Sequence, residues 1–181
     1  MFSHIKRCLL KSIQTTLSQK QNVVTDLDHS FTRQRSLSLE TMFRTILGMG
    51  GKSLAKELLD ANLNVSNSAF VQRRYQIKPE AFYTLFKTFS TQIPQSNPLP
   101  ILAADGSDIC IPRNPKDTLT SIQTKKERKS YNVLHINALF DLTSGLYDDV
   151  CVQDKRCQNE REAVIKMMET SPFRSSSCHN G

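Results

Sequence analysis

The chain has 181 residues, and its 24 Lys and Arg against 17 Asp and Glu give a formal net charge of +7. This length allows one ordinary domain or two small ones, and the basic balance favours a polyanionic partner. The five cysteines have no C-x-x-C spacing, which argues against a disulfide framework and a zinc site. With no apolar run of bilayer length and no signal-peptide core, we expect a cytoplasmic protein without a membrane partner.

Helical periodicity dominates the first half of the chain. Apolar residues at helical spacing predict a first helix over residues 5–17, followed by a polar connector from Gln19 to Arg35. Ser38 is a favourable N-cap for the clearest helix, which the glycines at positions 48, 50 and 51 end. Ser53 is a favourable cap for a further helix that continues to about Ala61. These patterns predict two helices joined by a tight glycine turn.

A third helix in this region carries two arginines. It begins near Ser66 or Ser68 and presents Arg73 and Arg74 to solvent. Two helices followed by an Arg-bearing helix are typical of a helix-turn-helix DNA binder. The alternative is a small helical bundle whose arginines are solvated.

The helical region closes with an apolar stripe and a proline-rich segment. Pro79 suits the first turn of a helix, and the aromatic and leucine stripe from Phe82 to Phe89 predicts a packing seam. The segment IPQSNPLP then ends helical structure. We therefore predict a helical domain over residues 1–93 and a linker over 94–100.

Strand-like alternation begins after the linker, in the stretch ILAADGSDICIP. Ile109 and Ile111 lie on one side of the predicted strand and Asp108 and Cys110 on the other. Asp105 is a candidate metal-binding carboxylate, although Asp-Gly between apolar residues is also typical of a hairpin turn. Asp108, on the hydrophilic side, is interpreted as a solvated or supporting residue.

A basic loop separates this strand from the next. Lys125, Lys126 and Lys129 cluster in the polar segment from Pro112 to Ser130 and are candidates for contacts with DNA phosphates. A solvated charged loop is the equally simple alternative.

The segment from Tyr131 to Gln153 predicts a β-hairpin, with Thr143 to Gly145 as its turn. Its polar residue His135 is expected to be a hydrogen-bonded surface residue, and Asp148 and Asp149 are expected to face solvent. A capping-box-like start at Asn159 then predicts a helix that covers the sheet.

Five stretches together resemble the DDE transposases of bacterial insertion sequences, of the insertion-sequence-four type. They are, in order, FTRQRSLSLETMFRTILGMGGKSLAKELL, SAFVQRRYQIKPEAFYTLF, ADGSDICIP, YNVLHINALFDLTSGLYDD and NERE. The resemblance extends from about Phe31 to Met168. It implies an α+β protein in which an all-helical DNA-binding domain precedes the first half of a ribonuclease H-like domain over residues 101–170, with three antiparallel strands and a helix.

The resemblance also implies chemistry and partners. Asp105 matches the first acid of the catalytic triad, which binds Mg²⁺ or Mn²⁺, and the partners implied are the double-stranded terminal inverted repeats of the element and a second, full-length transposase chain. The second Asp and the Glu of the triad have no counterpart here, and the final residues, SPFRSSSCHNG, contain no acid. We therefore expect a truncated transposase with a disordered tail over residues 171–181.

Three hypotheses follow for function. The chain belongs to an active transposase that cuts and joins DNA, with Asp105 as a metal ligand. Alternatively, it is a non-catalytic DNA-binding or interaction fragment that competes with full-length transposase. The third possibility is an unstable remnant without function, because an unfinished sheet leaves an exposed edge and an apolar face.

Overall fold

A computed structural model describes residues 2–32, 36–93, 100–123 and 129–171. The chain divides into two compact units, Met1–Pro94 and Gln95–Gly181. No helix within the described residues is long and apolar enough to span a membrane.

The first unit is helical. Ser38 and Ser66 cap two of its helices through their side chains, which accept hydrogen bonds from Thr41 N at 3.1 Å and from Ala69 N at 3.2 Å. Both caps lie where the sequence predicts a helix start. The helices are α1 (Phe2–Ser18), α2 (Lys20–Val23), α3 (Leu39–Gly48), α4 (Leu54–Asp60), α5 (Asn67–Arg74) and α6 (Glu80–Ser90).

An apolar core with one aromatic stack holds these helices together. The rings of Phe43 on α3 and Phe82 on α6 stack with their centroids 4.6 Å apart. Leu85 on α6 is buried in the same core, so the predicted stripe is a packing seam. The buried members of the core are Ile13, Val23, Val24, Leu37, Met42, Phe43, Leu58, Phe70, Ile77, Ala81 and Leu85.

The segment predicted as a polar connector contributes to this core. Val23 and Val24 are each only 1% exposed, and Val24 forms a β-bridge with Ile77. The backbone N–H of Lys78 donates to the carbonyl of Val23 at 2.8 Å. The sequence does not predict this contact, because the two bridged residues are more than fifty positions apart in the chain. The connector therefore ties the start of the unit to its end.

A buried carboxylate organises the turn between α3 and α4. Glu57 is 7% exposed, and its Oε1 accepts hydrogen bonds from the backbone N–H of Gly50 at 2.9 Å and of Lys52 at 2.8 Å. A carboxylate that accepts two backbone hydrogen bonds replaces the water that these groups would otherwise bind. Glu57 thus stabilises the glycine turn from the helix that follows it.

The described part of the second unit is a four-stranded antiparallel sheet with one α-helix and a short 3₁₀ helix, which confirms the α+β class for the chain. The strand β3 is central: β1 pairs with it on one side, and β4 and the short β2 pair with it on the other. The three long strands and the helix occur where the sequence predicts them, whereas β2 was not predicted. The elements are β1 (Leu102–Ile111), β2 (Ser121–Ile122), β3 (Tyr131–Asp141), β4 (Leu146–Asp154), a 3₁₀ helix (Lys155–Cys157) and α7 (Glu160–Thr170).

Helix α7 covers one face of this sheet. Ala163 and Met167 of α7 pack against Leu139 of β3 and Cys151 of β4. We call this surface the α7 face. Because side chains alternate along a strand, the residues next to Leu139 and Cys151 point to the opposite surface. That surface, the Asp105 face, is defined by Asp105, Ile109, Ile136, Ala138 and Val152.

We expect Glu57→Ala to lower the free energy of unfolding of the helical unit by about 1–3 kcal/mol, because two backbone N–H groups lose a charged acceptor. Urea unfolding followed by far-ultraviolet circular dichroism measures this change. Lys56→Ala, which removes a surface ion pair with Asp60 from the same helix, is the matched control and should change it by less than about 0.5 kcal/mol. Equal effects of the two substitutions would contradict a stabilising role for the buried carboxylate.

Candidate functional site

Asp105 lies in the middle of β1, directly opposite Ala138 of β3. The strand continues without a turn through Asp105 and Gly106, which excludes the hairpin-turn interpretation of this dipeptide. The side chain is exposed, and its Oδ1 accepts a hydrogen bond from the backbone N–H of Gly106 at 2.9 Å. The carboxylate is therefore held by a neighbouring backbone group and is open to solvent.

The described residues around Asp105 do not form a complete cation site. Within the described residues, no group of three His, Cys, Asp or Glu side chains is placed to hold a metal ion, and no cation forms an ion pair with Asp105. A catalytic Mg²⁺ or Mn²⁺ centre for phosphoryl transfer needs carboxylates from several parts of a protein. These residues fit one ligand of such a centre, not a complete one.

Asp108, three residues further along β1, is engaged on the α7 face. Its Oδ1 lies 2.7 Å from Nδ1 of His135, and its Oδ2 lies 2.7 Å from Nζ of Lys155. The hydrogen bond from Lys155, and then that from His135, lower the pKa of Asp108 below its ordinary value of 3.8. This carboxylate therefore stays ionised and bound to two cationic or hydrogen-donating partners.

His135 is buried, which corrects the expectation that it is a surface residue. It is 4% exposed and sits opposite Asp108 on the α7 face, beneath the start of α7. Gly106 leaves room for the ring: a Cβ at this position would lie 2.7 Å from Nε2 of His135. The glycine beside Asp105 is thus explained by the close approach of an imidazole from β3.

Asp148 and Asp149 are also buried, although the sequence predicted that both face solvent. Asp149 is 1% exposed, and its carboxylate accepts hydrogen bonds from the backbone N–H of Val150 at 2.8 Å and from Oγ1 of Thr170. A register shift in the β3–β4 ladder between Leu139 and Phe140 accompanies this arrangement. Asp149 therefore holds the end of α7 to the sheet. A β-bulge of this kind leaves no signal in the alternation pattern.

Other polar groups on the α7 face form a second small network. Nδ2 of Asn137 donates to Oε1 of Gln153 at 3.1 Å, and the same oxygen accepts from the backbone N–H of Asn159 at 3.1 Å. Asn159 also caps α7, because its Oδ1 accepts from the N–H of Glu162 at 3.3 Å. The predicted capping position is confirmed, and it is joined to the sheet.

The two arginines of α5 have different surroundings. Arg73 is half-buried: its guanidinium lies 5.0 Å from the ring centroid of Phe31, and its Nη1 donates to Oε1 of Gln76 at 2.9 Å. Arg74 is exposed and lies 5.9 Å from the ring centroid of Tyr75. Arg74 is therefore the more accessible of the two for an anionic ligand.

The exposed surface of α5 includes Gln72, which the sequence predicts to be solvent-facing, and adds Asn67 and Ser68. Asn67, Ser68 and Gln72 are exposed on this short helix, whereas Phe70 is buried in the core. Amide and hydroxyl side chains beside an arginine are suited to hydrogen bonds with base edges and phosphates. Their helical spacing relative to the buried Phe70 was a signal that could have identified them.

Only part of the basic loop lies within the described residues. Lys129 is exposed just before β3, whereas Lys125 and Lys126 lie outside the described residues, as do most of the linker and the residues after Ser171. The predicted phosphate contacts of this loop stay predictions.

Comparisons with protein-family models, with curated proteins and with solved structures find no match to this chain. The transposase resemblance rests on the sequence motifs.

We expect the thermal stability of the sheet unit to fall in acid partly through Asp108. Because its folded-state pKa lies below 3.8, its stabilising contribution is present above that pH and is lost as the pH falls through the folded-state pKa. Asp108→Asn should therefore lower the melting temperature at neutral pH and make its decline in acid smaller. The loss of the β3 amide signals in NMR spectra recorded during heating measures the melting temperature of the sheet unit.

Asp105→Asn is the matched control on the same strand, because Asp105 has no ion pair among the described residues. It should leave the acid dependence unchanged. An unchanged acid dependence in Asp108→Asn would contradict the role given to the contacts with Lys155 and His135.

Proposed function

We propose that this chain is the DNA-binding and first-acid portion of a DDE transposase with a ribonuclease H-like catalytic domain. The observation that carries the proposal is the position of Asp105: an exposed carboxylate in the middle of the first strand of an antiparallel sheet, followed by two further long strands and a helix. This is the order of elements that the resemblance implies, with the acid on the strand that should carry it.

The contrast between two nearby acids supports the choice of residue. Asp108 is bound to Lys155 and His135 and is committed to the fold. Among the described residues, Asp105 has the hydrogen bond from Gly106 and no ion pair, so its charge is available to a divalent cation. In a metal-dependent strand transfer it would be one of several carboxylate ligands. Because the described residues contain no group of three such ligands, the site needs at least one ligand from elsewhere.

The exposed residues of the helical unit support the proposed binding to double-stranded DNA. In this proposal α5 is the contacting helix, since Asn67, Ser68, Gln72 and Arg74 are exposed on it. The formal net charge of +7 adds a sequence-independent attraction to phosphates. The terminal inverted repeats of the element would then be the specific target.

A second candidate function is a non-catalytic fragment that binds DNA and competes with full-length transposase. It is favoured by one observation, that the described residues contain no group of three His, Cys, Asp or Glu side chains that could hold a metal ion. In this case the same surface of the helical unit binds DNA, and Asp105 is not a metal ligand.

We expect the chain to bind a fluorescently labelled DNA duplex weakly and with a steep salt dependence, measured by anisotropy. Arg74→Gln should weaken binding and reduce the slope of log K against log salt by about 1, the effect of one lost phosphate contact. Arg44→Gln is the matched control, because Arg44 is already paired with Glu40 at 2.6 Å. Absent or salt-independent binding would refute the proposal.

We also expect no cleavage of supercoiled plasmid by this chain in Mg²⁺ or Mn²⁺, because one carboxylate cannot position two metal ions. Agarose gels that separate nicked from supercoiled DNA provide the measurement. Metal-dependent nicking that disappears in Asp105→Ala would show instead that the chain is catalytic by itself.

A further inference from the structure

The imidazole of His135 lies between two carboxylates that belong to different elements. Its Nδ1 is 2.7 Å from Oδ1 of Asp108 on β1, and its Nε2 is 3.6 Å from Oε1 of Glu160 at the start of α7. The His135 side chain is only 6% exposed, so water cannot readily take the place of either partner. His135 is thus the side chain that contacts both the edge strand and the covering helix.

The number of protons on the ring decides how many of these contacts are hydrogen bonds. A neutral imidazole has one N–H and one lone pair. Asp108 is ionised and bound to Lys155, so it accepts the N–H of Nδ1. The lone pair of Nε2 then faces the Glu160 carboxylate, and Nε2 is a buried atom without a hydrogen-bond partner. Two acceptors face each other in this state.

An imidazolium resolves this conflict because both of its nitrogens are donors. We propose that His135 is a proton-operated latch, in which protonation of Nε2 creates a charged hydrogen bond to Glu160 and fastens the first turn of α7 to the sheet. Release of the proton removes that bond and leaves α7 held by its apolar contacts and its other polar contacts. The covering of the α7 face thereby depends on pH.

The charges around His135 favour this behaviour. Among the described residues, β1 presents Asp108, α7 presents Glu160, and the 3₁₀ helix presents Lys155. The neighbouring strand β4 presents the neutral Gln153 opposite His135. Each nitrogen of an imidazolium at this position would therefore face a carboxylate.

Glu160 is placed to respond to the proton without repacking of the core. Its side chain is 66% exposed, so rotation about its side-chain bonds can shorten the 3.6 Å separation to a hydrogen bond. The latch is also separate from the proposed metal ligand, because Asp105 points to the opposite face of the sheet. Its test therefore does not depend on DNA binding or cleavage.

The experiment is an NMR titration of the full chain between about pH 5 and 8, the range in which histidines ordinarily change charge. The ¹⁵N shifts of His135 report which ring nitrogen carries a proton at each pH. Hydrogen exchange of the α7 amides, corrected for the intrinsic rates, reports how firmly the helix is docked. We expect Nε2 to gain a proton as the pH falls, and α7 protection to rise about threefold with it, the effect of a partly exposed ion pair.

Two conservative variants of α7 separate the latch from a general effect of charge at a helix start. Glu160→Gln should abolish the pH dependence of protection and should fold, since the replaced group is exposed. Glu162→Gln removes the same charge from the same turn and should retain the pH dependence. The latch is refuted if wild-type protection does not change with pH, or if Glu160→Gln retains the wild-type dependence.

Discussion

The packing of α7 on one face of β3 is the constraint on which the sheet unit depends. This face carries apolar residues such as Leu139 and also polar ones, including His135 and Asn137, and the helix buries both kinds. Burial of a polar group is unfavourable unless it is hydrogen-bonded. Each polar side chain is therefore linked to a neighbouring element: His135 to Asp108 on β1, and Asn137 through Gln153 to the cap of α7. Strand pairing and helix docking consequently stabilise each other.

This division of the sheet separates structural residues from the candidate functional residue. Asp105 and Asp108 are three positions apart on one strand, and an odd separation places them on opposite faces. Asp108, on the α7 face, is bound to Lys155 and His135, whereas Asp105, on the other face, is accessible to solvent. Gly106 connects the two roles, since its N–H holds the Asp105 carboxylate and its missing side chain admits the His135 ring.

In the helical unit, α5 likewise carries one arginine that stabilises the fold and one that is accessible to a ligand. Consecutive residues on α5 point about 100° apart, so Arg73 turns towards Phe31 and Gln76 while Arg74 turns to solvent. An arginine that is stacked and hydrogen-bonded within the unit stabilises the fold, and an exposed one is free to meet a phosphate. The DNA-binding surface proposed for this unit therefore includes Arg74 but not Arg73, although both arginines are present in the sequence of α5.

Helix periodicity, strand alternation and capping are properties of neighbouring residues, so the sequence predicts most of the helices and the three long strands. Ser38 and Asn159 are predicted caps that the structure confirms, and Ser66 is the one of two candidate serines that caps α5, whereas Ser53 precedes α4 without a side-chain capping bond. The alternation around Ile109 also separates the two sides of β1 correctly. Alternation defines two faces of a strand but does not say which one a helix will cover. The coverage of the His135 face by α7 and the burial of Asp149 and Val24 follow from the folded chain alone, because those contacts join residues far apart in the sequence.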